Sequence, residues 1–325
     1  MIKNIIKYYF ILLIFLLFGG CKTITDIFEN VAFNFREPGK VNKIFHPIRK
    51  DVRLSALWTG HVTVLLQMDD KVIITDPFLT GNIALLQKRL VEAGIEIDSL
   101  EKIDLILLSH SHFDHTNLGS LALLEERFPD AKLIFPVGLE EFLPNLSFDF
   151  IPLKKADEKN KVYFGEEKNI DGVKITAVAA FHWGGRYGLD GLIWGYDTYT
   201  GYIIEYNGMT VYFAGDTAYD TEFYKLLGTK YNIDLAIIPI GPCLHCYYID
   251  KPFRHLYPSG VIKILKETSI QMMIPVHYGT ILEKSEPEKP KDILIKLLDK
   301  EPQLKDRIKI LKIGEQLILK SKETR

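Results

Sequence analysis

The chain has 325 residues, 47% of them hydrophobic, enough to bury a sizeable core in one large domain or two smaller ones. Its formal net charge is -2, with both signs interspersed, so there is no bulk electrostatic case for nucleic acid or an anionic membrane surface. Neither a low-complexity block nor a repeat of fixed period is present, which excludes a repeat array.

The N-terminus differs from the rest. Lys3 and Lys7 precede an apolar run from Tyr8 to Phe18, followed by Gly19-Gly20-Cys21, the form of a secretory signal. Ending in Gly-Gly-Cys, it resembles a bacterial lipoprotein signal, with Phe18 standing where Leu is usual. That resemblance implies cleavage before Cys21 and acylation of Cys21. An uncleaved transmembrane anchor is the alternative, and it needs roughly 20 apolar residues, more than this run supplies. Either way the expected location is the cell envelope, with the protein held to a membrane and facing the periplasm or exterior. Residues 22–50 read as a tether and lead-in, and residues 51–320 as one domain.

From Arg53 the pattern is strand-like, and Val62 to Gln67 with Lys71 to Thr75 flank Met68-Asp69-Asp70 as a hairpin, closed by Asp76-Pro77. Residues 84–94 have helical spacing. Ile103 to Leu108 is a short buried strand, and directly after it comes Ser109-His-Ser-His-Phe-Asp-His-Thr116. His110, His112, Asp114 and His115 place four metal-competent side chains within six positions. Imidazole plus carboxylate is the ligand set of zinc, iron or manganese, and the carboxyl end of a buried strand is where open α/β sheets hold ligands. A helix follows, carried by Leu118, Leu121, Leu124 and Phe128, with Asn117 as its N-cap. Lys132 to Pro136 reads as a strand, Gly138 to Leu143 as a short helix, and Lys154 to Gly165 as a surface excursion.

The second half repeats this grammar. Strands span Val173 to Ala179, Tyr202 to Tyr206 and Thr210 to Ala214, the last two joined by Asn207-Gly208, a strong hairpin signal. A helix from Thr221 to Tyr231, a strand from Leu235 to Pro239, a helix from Ser259 to Thr268 and a strand from Gln271 to Val276 follow. Pro290 to Asp299 is a helix with Pro at its start, and Ile308 to Lys312 and Gln316 to Leu319 are two final strands. Mixed hairpins and βα units predict a layered α/β sandwich. His182, Asp216 and His277 each follow a strand, the same topological place as the first cluster. Cys243 and Cys246, with His245 between them and Pro242 before, lie in a loop and suit a local disulfide or an extra metal better than a redox pair.

His-x-His-x-Asp-His, with Leu-Trp-Thr-Gly-His61, Thr-Asp76-Pro, Phe-His182-Trp, Ala-Gly-Asp216-Thr, His255 before Pro258, and Val-His277-Tyr-Gly-Thr, resembles the metallo-β-lactamase superfamily over residues 53–320. The motif order is similar to the subgroup containing N-acyl-phosphatidylethanolamine-hydrolysing phospholipase D and, more distantly, ascorbate-6-phosphate lactonase. The resemblance implies an αββα four-layer sandwich with a metal site along one edge. It implies one metal on His110, His112 and His182, another on Asp114, His115 and His277, and Asp216 bridging both. The cofactor expected is two divalent ions, most simply Zn2+. Two cations about 3.5–4 Å apart clamp the attacking and leaving oxygens of a displacement, and a water shared between them ionises near neutral pH. Asp114 and Asp216 are then catalytic as well as ligating, and His255 resembles the position that binds or protonates the leaving group. Asp76 is the candidate for orienting a metal-bound imidazole, and His61 approaches the metals, a phosphate, or a purely structural partner. Trp183 to Tyr187 and Tyr247 to Phe253 either pack over the sheet as ordinary loops or offer an apolar rim for a lipid or small-molecule substrate, in which case Arg186 or Arg254 could meet phosphate. The leading expectation is a phosphodiesterase acting on an N-acyl phospholipid. Lactone or ester hydrolysis is the second, and a non-catalytic lipoprotein stapled by metals the third. Departure from the phospholipase pattern over Pro242 to Phe253 leaves the substrate open.

Overall fold

The computed structural model describes residues 37–83, 87–186, 189–242, 255–281 and 286–322. The signal-like segment with Cys21, the pair Cys243 and Cys246, and the rim candidates Tyr187, Tyr247, Tyr248, Phe253 and Arg254 lie outside the described residues. In chain order the strands are β1 (Val52–Gly60), β2 (Thr63–Met68), β3 (Lys71–Thr75), β4 (Asn82–Ile83), β5 (Gln87–Lys88), β6 (Leu105–Leu107), β7 (Lys132–Pro136) and β8 (Asp149–Leu153). They continue with β9 (Phe164–Ile170), β10 (Val173–Val178), β11 (Gly201–Tyr206), β12 (Met209–Phe213), β13 (Leu235–Pro239), β14 (Met272–Val276) and β15 (Gln316–Ser321). The α-helices are α1 (Leu118–Arg127), α2 (Leu189–Trp194), α3 (Thr221–Lys230), α4 (Pro258–Glu267) and α5 (Lys289–Leu298).

Two sheets form. The first has the order β15-β1-β2-β3-β6-β7-β8, the second β14-β13-β12-β11-β10-β9, and β4-β5 is a separate ribbon. In each, antiparallel hairpins come first in the chain (β1-β2-β3; β9-β10-β11-β12) and parallel strands follow (β3-β6-β7-β8; β12-β13-β14). The register at Tyr206↔Met209 closes on Asn207 (φ 47) and Gly208 (φ 72), the positive dihedrals that a two-residue turn matched to strand twist requires.

Strand sequences buried on both faces explain the four layers. On β1, β2 and β3, residues Leu54, Ala56, Val64, Leu66 and Ile73 face the second sheet, while the alternate residues Leu57, Leu65, Val72 and Ile74 face the opposite way. The outer face is covered by Leu121, Leu124 and Phe128 at α1 and its end. Against the second sheet pack Phe223, Tyr224 and Leu227 of α3, Val261, Ile264 and Leu265 of α4, and Leu294 and Leu298 of α5. Period-two strands with no polar face must be covered twice, and helix-sheet-sheet-helix is the arrangement that does so.

Several expectations are corrected. The helical spacing expected over 84–94 is not realised in its described part, residues 87–94, since Gln87 and Lys88 form β5 and Arg89 bridges Ile281. Here Arg89 N and Leu90 N donate to Gly81 O and Thr280 O, so the backbone is spent on neighbouring loops rather than on a helix. The stretch Ile308 to Lys312 makes only an isolated bridge, Met273↔Ile308, not a strand. The strands β8 and β9 and helix α2 were not legible, because β8 and β9 mix polar and apolar residues at the sheet edges without alternation.

Asn117 caps α1 as its sequence position implies. Its Oδ1 accepts from Ser120 N at 2.9 Å, Ser120 Oγ at 2.8 Å and Thr80 Oγ1 at 3.0 Å. Replacing it with Ala removes the acceptor of Ser120 N and Ser120 Oγ, so Asn117→Ala is expected to cost about 1–2 kcal/mol of stability, read from the midpoint shift in urea denaturation.

Candidate metal centre

The ligand candidates converge because each terminates a strand at the same edge of the sandwich. His110, His112, Asp114 and His115 follow β6, His182 follows β10, Asp216 follows β12, His277 follows β14, and His61 sits in the turn between β1 and β2. The loop after β6 is held from several sides. Asp76, at φ 33, accepts Ser109 N on Oδ1 at 2.6 Å, and on Oδ2 it accepts Ser109 Oγ at 2.6 Å and His115 Nδ1 at 2.7 Å. From the second sheet, Tyr202 Oη donates to Leu108 O at 2.7 Å and Thr200 N to Ser109 O at 2.9 Å. Gly215 (φ +57) packs against Ser109 so closely that an added Cβ would lie 2.6 Å from Ser109 Cβ, so glycine is required beside Asp216.

Arg186 is placed differently from the sequence expectation. It is buried, stacks 4.0 Å over Phe113, and donates through Nη1 to Ser111 O at 2.9 Å and Thr116 O at 2.7 Å. It fixes the ligand loop rather than meeting a substrate phosphate. Tyr278 also turns inward, packing on Trp58 at 4.9 Å, and Thr280 Oγ1 accepts His61 N at 2.5 Å. Trp183 remains at the mouth, 4.1 Å from the His182 ring and 5.5 Å from that of His255.

These bonds set tautomers. The Asp76 carboxylate only accepts, so Ser109 Oγ and His115 Nδ1 donate to it. With the Ser109 proton used, His110 Nδ1, 2.9 Å away, donates to Ser109 Oγ. In both imidazoles Nε2 is therefore the free, ligand-competent nitrogen. His110 Nε2, His112 Nδ1 and His182 Nε2 converge, with separations of 2.8 Å and 3.3 Å about His112 Nδ1. A second set surrounds Asp114 Oδ2, with His61 Nε2 at 2.9 Å, His115 Nε2 at 3.5 Å and His277 Nε2 at 3.8 Å. Asp216 Oδ2 lies against both sets, 3.3 Å from His277 Nε2, 3.5 Å from His115 Nε2 and 3.9 Å from His182 Nε2, and is 3.3 Å from His255 Nδ1. All seven residues expected to hold metal, and His255, are thus brought together.

Electrostatics favour cations here. Burial opposes ionisation of Asp216 and Asp114, yet the facing imidazoles (His277 and His115 for Asp216, His115 and His61 for Asp114) outweigh it and hold both carboxyls well below their usual range. Burial likewise opposes charge on His115, but Asp216 and Asp114 outweigh it and push its pKa well above the ordinary value. Burial and the neighbouring His115, His112 and His182 keep His110 neutral, and burial with His277 pulls His61 down to about 3. His112 Nε2 and Asp216 Oδ1 are buried without a hydrogen-bond partner among the described residues. Buried anions among imidazole nitrogens, with donor atoms within 4.8 Å of one another in each set, fit divalent cations.

A profile for the Beta-lactamase superfamily domain matches residues 71–278, well over half of the chain. The chain belongs to the metallo-β-lactamase superfamily. It is a metal-dependent hydrolase of that family. It is 26% identical over 264 residues to N-acyl-phosphatidylethanolamine-hydrolyzing phospholipase D 1 of Caenorhabditis elegans, covering 78% of this chain and 72% of that protein. It is also 26% identical over 227 residues to a UPF0173 metal-dependent hydrolase of Pelotomaculum thermopropionicum, covering 70% and 85%. The chain spans 85% of the Pelotomaculum protein's length but only 48% of that of a mitochondrial relative from Saccharomyces cerevisiae. In structure, the metallo hydrolase Igni18 of Ignicoccus hospitalis superposes with a TM-score of 0.58 at 20% identity, over 84% of this chain and 99% of that one, a likeness of fold.

Residue-by-residue reading missed the roles of Ser109, Thr280 and Arg186, which act through main-chain and hydroxyl contacts that no side-chain pattern announces. In this superfamily member, Asp76→Asn removes the charge that orients His115 and accepts from Ser109. Metal affinity is expected to fall about 10–100-fold, measured by competition with a chromophoric chelator.

Proposed function

We propose that the protein is a membrane-tethered, binuclear hydrolase of phosphodiesters, with an N-acyl phospholipid or related lipid as substrate and zinc as its metal. The observation that carries the reading is the single carboxylate oxygen, Asp216 Oδ2, lying between two converging ligand sets. His110, His112 and His182 would hold one cation, Asp114, His115 and His277 the other, and Asp216 both. The lipid specificity is supported by the similarity to the nematode enzyme, and the tether by the resemblance of residues 1–21 to a lipoprotein signal. No helix among the described residues is long and apolar enough to cross a membrane.

Bound at these sites, divalent cations supply Lewis acidity, lowering the pKa of a coordinated water to about 7 and offsetting charge on the phosphodiester. The protein's own groups do the rest. Asp216 and Asp114, kept ionised by the facing imidazoles, align an attacking water by hydrogen bonding. Burial pulls His255 down to about 4, so it meets substrate as a neutral imidazole. With its side chain 18% exposed beside Trp183, it is placed to donate a hydrogen bond to the leaving-group oxygen as charge develops there. Trp183 supplies an apolar wall at the mouth, where an acyl or headgroup carbon chain is sheltered from water.

Metal analysis of the purified protein, followed on the same sample by a panel of phosphodiester, lactone and ester substrates, tests this. Two zinc equivalents and release of N-acylethanolamine from N-acyl-phosphatidylethanolamine are expected; turnover confined to lactones would overturn the lipid reading. Asp216→Ala is expected to retain less metal and lose turnover, and full activity in that variant would remove its bridging role. His255→Ala is expected to keep its metal while kcat falls roughly 10²–10³-fold.

A further inference from the structure

His61 is held in the centre more tightly than a bystander needs. It lies in the left-handed region at φ 55, where a β-carbon is disfavoured, and is 1% exposed. Its N–H donates to Thr280 Oγ1 at 2.5 Å. Its carbonyl accepts from Trp58 Nε1 at 3.0 Å and from His277 N at 3.0 Å. Behind it, the buried Arg89 donates from Nη2 to Thr59 O at 2.8 Å and from Nη1 to Phe78 O at 2.5 Å, bracing both the turn that carries His61 and the turn after Asp76. Preceding Gly60, at φ +108, has no room for a side chain, since a Cβ would lie 2.4 Å from Arg89 Nη2. Strain sustained by this many bonds aims one imidazole, and its Nε2 ends 2.9 Å from Asp114 Oδ2.

We propose that His61 is a positioning residue for the second cation: its Nε2–H donates to Asp114 Oδ2, fixing the carboxylate so that its remaining lone pairs face the site, while its carbonyl anchors the backbone of His277. Asp114 and His277 belong to different strand ends, and among the described residues His61 is bonded to both. Because Asp114 Oδ2 is an acceptor only, the 2.9 Å contact requires the proton on His61 Nε2. That leaves this nitrogen unable to ligate, and separates His61 from the imidazoles around it. The inference rests on the two-cation reading of the site.

The experiment is calorimetric zinc titration of the metal-free full-length chain, unchanged and as His61→Gly and His61→Gln, with the cobalt(II) spectrum and the unfolding temperature recorded on each. Gly suits the left-handed backbone and removes the donor, and Gln restores a donor. The class of sites lost in His182→Ala identifies the first cation. His61→Gly is expected to weaken the other class about 10–100-fold and alter its cobalt spectrum, with the first class unchanged and affinity largely recovered in His61→Gln. Unchanged affinity in His61→Gly overturns the proposal. So does weakening of both classes in step with the unfolding temperature, which marks a merely structural role. Equal loss in the Gln variant makes His61 a ligand itself and overturns it too. An unchanged chain that takes up no cation overturns the two-cation reading, and this proposal with it.

Discussion

Buried negative charge governs this edge of the molecule. Asp76 and Asp216 are almost fully inaccessible and Asp114 sits beside them. Taking one carboxylate out of water without a partner costs several kcal/mol, a large share of the 5–15 kcal/mol that holds a typical domain together. Each carboxylate must therefore be matched, and the sequence matches them differently. Asp76 is saturated by Ser109 N, Ser109 Oγ and His115, three donors fixed in place. Asp114 and Asp216 face imidazoles instead, partners that exchange a proton for a metal at little structural change. The first carboxylate makes the site rigid; the other two make it hungry for cations.

The sandwich is what allows such matching to be rigid. Strands buried on both faces cannot slide in register without moving a whole set of apolar side chains, so their ends are fixed points. Ligands placed from one residue (His277) to eight residues (His115) beyond those ends inherit that precision. Cross-sheet bonds such as Tyr202 Oη to Leu108 O carry it from one sheet to the other at the base of the ligand loop.

How much of this was legible in the sequence varies with the kind of signal. The strands leading to His110, Asp216 and His277 were readable because each is a short apolar run ending at a polar residue, and the Asn207-Gly208 turn because its chemistry is local. The convergence of His182 with His110 and His112 was legible only through a family pattern, since nothing in Ala-Phe-His-Trp alone specifies a partner. What failed was the segment 84–94, whose apolar spacing suits a helix but whose Arg89 is drawn fully inside to bind carbonyls of other loops. Long-range main-chain demand overrode local periodicity there. Arg186 misled for the same reason: an arginine near a mouth reads as a phosphate binder, while the carbonyls of Ser111 and Thr116 had the prior claim on it.

The pairing of β15 with β1 has a consequence for how such a chain is completed. The first strand of the first sheet lies between β2 and β15, Gln316–Ser321, which crosses back after the strands of the second sheet. During synthesis that edge stays open until residues 316–321 have emerged from the ribosome. The turn carrying His61 closes β1 at its far end, so this part of the candidate metal centre adjoins a strand that is paired on both sides only once β15 is in place. A nascent chain can assemble its own hairpins early, but the strand that pairs with the other edge of β1 arrives only with residues 316–321.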